Sequence, residues 1–214
     1  MLLEVVGLHC TRGYRALFSE LAFTLEAGQL LLVEGHNGSG KTTLLKMLAG
    51  LREADDGQVL WDKQPIQAWG AEYRQQFVWL GHSNGIKDDL TALENLHMMQ
   101  ALGGEQAGFP CRDAKSCVST STVLERMGLA GNGHRFPRHF SAGMKRRLAL
   151  SRLLLSSARL WILDEPQAAL DRAGIQMFES MLSEHLQRGG SAIMTSHHEV
   201  GLRGPHIQRL VLAA

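Results

Sequence analysis

Two groups of residues have the types and spacing to do chemistry together. Gly35-His36-Asn37-Gly38-Ser39-Gly40-Lys41-Thr42 matches G-x-x-x-x-G-K-[ST] at every fixed position. Its glycines let successive backbone N–H groups converge on an anion, and the helix that follows adds its positive N-terminal end. In that arrangement Lys41 reaches the β- and γ-phosphates of a nucleoside triphosphate, and the Thr42 hydroxyl ligates Mg²⁺. Thr43 follows at once and belongs to the same phosphate-binding run. Roughly 120 residues downstream, the apolar stretch Leu160-Trp161-Ile162-Leu163 ends in Asp164-Glu165. Ligands of open α/β sheets bind beyond the carboxyl ends of the strands. Asp164 is therefore placed to hold Mg²⁺, directly or through water. Glu165 is the natural general base, orienting and polarising the attacking water.

The glycine-rich loop specifies a triphosphate and not its base. No N-K-x-D guanine-reading sequence occurs in the chain, so ATP is favoured over GTP.

These residues need a scaffold in which short apolar strands alternate with helices, and the chain has that pattern. Leu30–Glu34 reads as a strand feeding the glycine-rich turn, and Thr42–Leu48 as a helix stopped by Gly50. Leu2–Val6, Leu21–Leu25 and Gln58–Trp61 read as strands of a separate antiparallel piece. Leu93–Leu102, Val123–Met127, Ser141–Leu155 and Ile175–Leu186 read as helices, and Leu160–Leu163 and Ala192–Thr195 as buried strands. Residues 103–122 lack periodicity and read as loop. The expected fold is α/β: a P-loop NTPase with a mostly parallel core sheet, an antiparallel β piece and an inserted helical lobe at about 85–155. All 214 residues form one domain.

Composition narrows the partners. Lys plus Arg number 22 against 21 Asp plus Glu, a net charge of +1, which argues against nucleic acid as the main partner. Three cysteines, Cys10, Cys111 and Cys117, make no disulfide framework and read as reduced thiols. Met1–Cys10 carries Glu4 and no basic leader, so it is not a secretory signal. The most apolar window, Leu148–Leu163, is interrupted by Arg152 and Arg159, so membrane contact must come through a partner. Lys145-Arg146-Arg147 reads as a solvated helix face. The histidines lack ligand spacing with any cysteine and C-x-x-C-H is absent, so direct haem ligation by this chain is not expected.

Further segments carry a family resemblance over nearly the whole chain. Phe140-Ser141-Ala142-Gly143-Met144 stands where ABC ATPases carry LSGGQ, and Lys145 to Arg152 is similar to the usual continuation. Asp164-Glu165-Pro166-Gln167-Ala168-Ala169-Leu170-Asp171 looks like their Walker B strand joined to the D-loop. Thr195-Ser196-His197 resembles their switch-histidine motif. The resemblance implies a homodimer with ATP sandwiched between copies. Ser141 and Gly143 would close over the γ-phosphate held by the opposite subunit, Asp171 of the D-loop would join the nucleotide-binding residues, and His197 would contact the γ-phosphate and help Glu165 hold the water. Ala142 and Met144 depart from the signature, implying slower or retuned turnover. His82, nine residues before Thr91, takes the place of the Q-loop glutamine and is a candidate ligand of Mg²⁺ or of the water. Tyr14 is the candidate adenine-stacking aromatic.

Trp79-Leu80-Gly81-His82, Gly85-Ile86-Lys87, Leu90 to Leu96, Gly128 to Gly131 and Leu160 to Pro166 resemble one branch, the CcmA family. That family supplies the ATP-binding subunit of the cytochrome c biogenesis exporter in Gram-negative bacteria. The resemblance implies small integral membrane partners of the CcmB and CcmC type and a place on the cytoplasmic face of the inner membrane. It also implies a role in haem handling and release of the haem-loaded chaperone CcmE. A soluble, non-transport ABC ATPase and an ATPase of another small-molecule exporter are the alternatives.

Overall fold

The structure, a computed structural model, describes residues 2–103, 119–196, 201 and 206–212. Its centre is a five-stranded parallel sheet in the order β6-β7-β8-β3-β9. These strands are β3 (Leu30–Glu34), β6 (Phe77–Leu80), β7 (Leu160–Leu163), β8 (Ser191–Thr195) and β9 (Ile207–Val211). A second, antiparallel sheet has the order β2-β1-β4-β5, from β1 (Leu3–Arg12), β2 (Arg15–Leu25), β4 (Asp56–Trp61) and β5 (Gln64–Pro65).

The central strands read as continuous apolar runs because both faces are covered. Along β3, Leu30 and Leu32 join one hydrophobic cluster while Leu31 and Val33 join the other. β7 alternates likewise, Trp161 and Leu163 against Leu160 and Ile162. On one face lie α1 (Lys41–Leu48) and the antiparallel sheet; α1 contributes Leu44, Leu45, Met47 and Leu48. The other face is covered from α4 (Ala92–Gly103), α5 (Thr120–Arg126), α6 (Ala142–Leu154) and α7 (Arg172–Gln187). Helices α4, α5 and α6 pack on one another. Short helices α2 (Ile66–Trp69) and α3 (Tyr73–Gln76) lead into β6.

The expected elements are present, with differences that follow from pairing. β1 and β2 run longer than read, because they form one hairpin in which Arg12 pairs with Arg15 across Gly13 and Tyr14. β6 and β9 are additions: each is a four- or five-residue strand stabilised by parallel pairing, β6 on β7 and β9 on β3. α7 begins three residues before the expected Ile175, where the Asp171 carboxylate accepts the Gly174 N–H at 2.9 Å as an N-cap. Most of the 103–122 stretch, with Cys111 and Cys117, lies outside the described residues. Cys10 is buried and free.

One expectation is corrected. The basic run on α6 is no solvated face: Arg146 is 3% exposed, Lys145 pairs with Asp88 at 2.8 Å, and Arg147 pairs with Asp171 at 2.5 Å. The helix turns Arg146 toward the sheet, where backbone carbonyls replace water around its guanidinium.

Candidate active site

The cleft forms where β3 breaks into α1. Gly35 has φ +150°, and a Cβ there would meet Ser39 Oγ at 2.6 Å and the Leu212 carbonyl at 2.9 Å. Gly40, φ +99°, caps α1 from the left-handed region and lies so close to Leu17 that a Cβ would stand 3.2 Å from its Cβ. The loop can therefore close tightly only with glycine at both positions. The Lys41 ammonium is folded back under it, donating to the Gly35 carbonyl at 2.7 Å and the His36 carbonyl at 3.0 Å. These are neutral acceptors that an anion outcompetes.

Beneath the loop, the end of β7 supplies the acids. The Thr42 hydroxyl donates to Asp164 Oδ2 at 2.8 Å, and the Thr195 hydroxyl, from the end of β8, donates to Asp164 Oδ1 at 2.8 Å. Asp164 is only 4% exposed, so both carboxylate oxygens are oriented by hydroxyls inside the protein. Thr195 also accepts the Glu165 backbone N–H at 2.9 Å. Glu165 holds φ +50°, a conformation that costs a non-glycine residue on the order of 1–3 kcal/mol. It lines, with Arg12, Leu17, Asn37, Gly38, Gly40, Lys41, Thr42 and Thr43, a cavity of about 250 Å³.

Thus the residues of the glycine-rich loop, Lys41, Thr42, Thr43, Asp164 and Glu165 meet in one place. Ser39 is buried, and its hydroxyl has no partner among the described residues. Ser141 caps α6, accepting the Met144 N–H at 3.2 Å; it is exposed and stands outside the cavity lining, as do Gly143 and Asp171. A Cβ on Gly143 would sit 3.0 Å from the Ala169 carbonyl, which brings the α6 N-terminus against the segment after Glu165. The Gly174 N–H and the Arg147 guanidinium hold the Asp171 carboxyl below the usual aspartate pKa. His82 lies in an exposed loop after β6, outside the cavity lining, and His197 lies outside the described residues.

Tyr14 is fully exposed at the tip of the β1–β2 hairpin and does not reach the cleft. Arg12 and Leu17 reach it instead. Arg12 is the residue that reading by type passes over. The signal for it is Gly13, which marks the hairpin turn and so sets the last strand residue at Arg12.

A glycine loop between a buried parallel strand and a helix, facing an Asp-Glu pair at the end of another strand, defines a P-loop ATPase of the ABC type. The ABC transporter family profile matches residues 18–168. The chain is 40% identical over 214 residues to the "Cytochrome c biogenesis ATP-binding export protein CcmA" of Photobacterium profundum, covering 99% of both chains. It is 44% identical to the protein of that name from Albidiferax ferrireducens over 207 residues, 97% of this chain and 95% of the other. Among solved structures it resembles the ATP-binding subunit of an ABC transporter, with TM-score 0.78 and 27% identity over 92% of this chain and 80% of that one. The chain belongs to the CcmA family of ABC transporter ATP-binding proteins. It binds and hydrolyses ATP, and among the described residues no helix is long and apolar enough to cross a membrane.

Proposed function

We propose that the chain is the ATP-driven motor of a membrane complex for cytochrome c biogenesis, working as a homodimer against small integral membrane subunits of the CcmB and CcmC type. It sits on the cytoplasmic face of the inner membrane and serves haem export or release of the haem-loaded chaperone. The observation that carries the catalytic part is the chain of contacts Thr42–Asp164–Thr195–Glu165 beneath the Lys41 loop.

The triphosphate lies along the loop from Gly35 to Thr43, its phosphates drawing Lys41 off its carbonyl acceptors. Thr42 Oγ1 and Asp164 are hard oxygen donors side by side, 2.8 Å apart, a set that suits Mg²⁺ held by few protein oxygens and the phosphates. Mg²⁺ there would neutralise charge on the phosphate oxygens. Glu165, aimed by its backbone into the same cavity, takes the proton of the attacking water. Arg12, which lines the cleft, offers a flat guanidinium on which a nucleobase stacks. The family resemblance assigns His82 to Mg²⁺ or the attacking water and His197 to the γ-phosphate.

Ser141, Gly143 and Asp171 work across the dimer. Ser141 and Asp171 are exposed, Gly143 is half-buried, and all three lie outside their own chain's cavity lining, which supports a role on the partner copy's ATP, where the N-terminus of α6 and the Ser141 hydroxyl form an anion site. The α4–α6 helices form the inserted lobe, about 85–155, that passes dimer closure to the membrane subunits. By linkage, those subunits must in turn alter nucleotide affinity.

The assembly is tested in a cysteine-free background with Glu165→Gln blocking turnover. With ATP present, Asn37→Cys on one copy and Ser141→Cys on another should crosslink, and the complex extracted in detergent should bring down small membrane proteins. A strictly monomeric, uncrosslinked preparation would contradict the dimer. Recovery of ribosomal or DNA-repair proteins in place of membrane subunits would contradict the transport role.

A further inference from the structure

Arg146 is a buried cation with no carboxylate hydrogen-bond partner among the described residues. Its Nε donates to the Pro166 carbonyl at 3.1 Å. Nη2 donates to the Asp164 carbonyl at 3.1 Å and to the Glu165 carbonyl at 2.7 Å. Nη1 donates to the Gly81 carbonyl at 3.3 Å and to Asn84 Oδ1 at 3.0 Å. A guanidinium carries five N–H donors in a rigid fork, and all are used. Three segments thus meet on one side chain: the first turns of α6, the 81–84 loop that holds His82, and the Asp164–Pro166 turn after β7.

The contact on Glu165 has a specific consequence. Its left-handed backbone persists only where the surroundings over-determine it. Thr195 holds its N–H and Arg146 holds its carbonyl, so the peptide groups on both sides of its Cα are fixed. Removing the fork leaves five acceptors to find water in a site with little room for it. The Glu165 backbone would then relax toward an ordinary φ, swinging the carboxylate off the line that the cavity defines.

We propose that Arg146 is a positioning residue for hydrolysis: it locks the Glu165 backbone in its left-handed conformation and ties it to the helix that carries Ser141 and to the His82 loop. This rests on the reading of Glu165 as general base. Motion of the α6 N-terminus, which engages one ATP, is thereby felt at the carboxylate that acts on the other.

The test measures ATP turnover per ATP-binding site, KM and melting temperature for Arg146→Lys and Arg146→Gln, each alone and combined with Glu165→Gln. Lys keeps the charge and loses the fork; Gln loses the charge and keeps a shorter donor, and serves if Lys does not fold. The expected result is a kcat lowered about 10- to 100-fold with KM within about 3-fold, the pattern of an interaction expressed in the transition state. In the Glu165→Gln background the same change should alter the residual rate less than about 2-fold, because residues acting as a unit are not additive. An unchanged kcat, a rise in KM as large as the fall in kcat, or the same fold loss in both backgrounds overturns the proposal. A native rate in Glu165→Gln alone overturns the general-base reading instead, and the two failures are told apart by that single variant.

Discussion

The Thr195 hydroxyl stands 2.8 Å from Asp164 Oδ1 and donates to it, while accepting the Glu165 N–H at 2.9 Å. One side chain at the end of β8 therefore orients both acids at the end of β7. Thr195→Val keeps the shape and removes both bonds. A hydrogen bond to a charged group is worth about 1.5–3 kcal/mol, so kcat should fall roughly 10- to 100-fold. ATP affinity should stay within a few fold, because the phosphate-binding backbone is untouched. Steady-state kinetics together with a fluorescent-nucleotide titration checks both.

Arg12 and Tyr14 separate by their effect on nucleotide binding. Arg12→Ala should weaken ATP binding about 3- to 10-fold, the loss of one stacking platform of about 1 kcal/mol. Tyr14→Ala should leave it unchanged, since the ring projects into solvent. Isothermal titration of the two variants measures this; the reverse order would return the base to the hairpin tip.

His185 gives the fold a pH dependence. Its ring stacks on Trp161 with centroids 3.9 Å apart, and burial pushes its pKa from 6.5 down to about 4, against the opposing pull of its hydrogen bond to the Ser191 carbonyl. The unfolded chain binds this proton near 6.5 and the folded chain only near 4, so the unfolded state gains as pH falls between those values. The stability present above about 6.5 should fall by about 3 kcal/mol on reaching about pH 4, then level off for this group. Urea unfolding across that range should show the slope in the native chain and lose this part of it in His185→Gln.

Gly35 tests the loop. Alanine there must accommodate its Cβ against Ser39 Oγ and the Leu212 carbonyl and hold φ +150°. Gly35→Ala should weaken ATP binding at least about 10-fold, with a lower melting temperature, measured by the same titration and by thermal unfolding.

The phosphate loop and the Asp164-Glu165 pair were legible because their chemistry fixes residue type at fixed spacing, and the strand–turn–helix context is itself periodic. The alternating burial of Leu30 to Val33 follows from the same apolar run. What escaped was set by three-dimensional register. Tyr14 drew attention by its aromatic ring, but the pairing of Arg12 with Arg15 places that ring at a turn tip and presents Arg12 to the cleft. Lys145 to Arg147 has the charge of a solvated face, and only the packing of α6 against the 81–84 and 164–166 segments shows that Arg146 is inside. β6 and β9 are too short for their own periodicity to declare them and exist because β7 and β3 offer open edges.

The most direct test is the ATPase rate of Glu165→Gln, measured beside its ATP affinity in the purified subunit and in the membrane complex. The cleft geometry predicts hydrolysis reduced at least about 100-fold with ATP binding retained, because the Lys41 loop is intact and only the base is lost. Hydrolysis at the native rate would mean that another group activates the water and that the acids at the end of β7 are assigned wrongly.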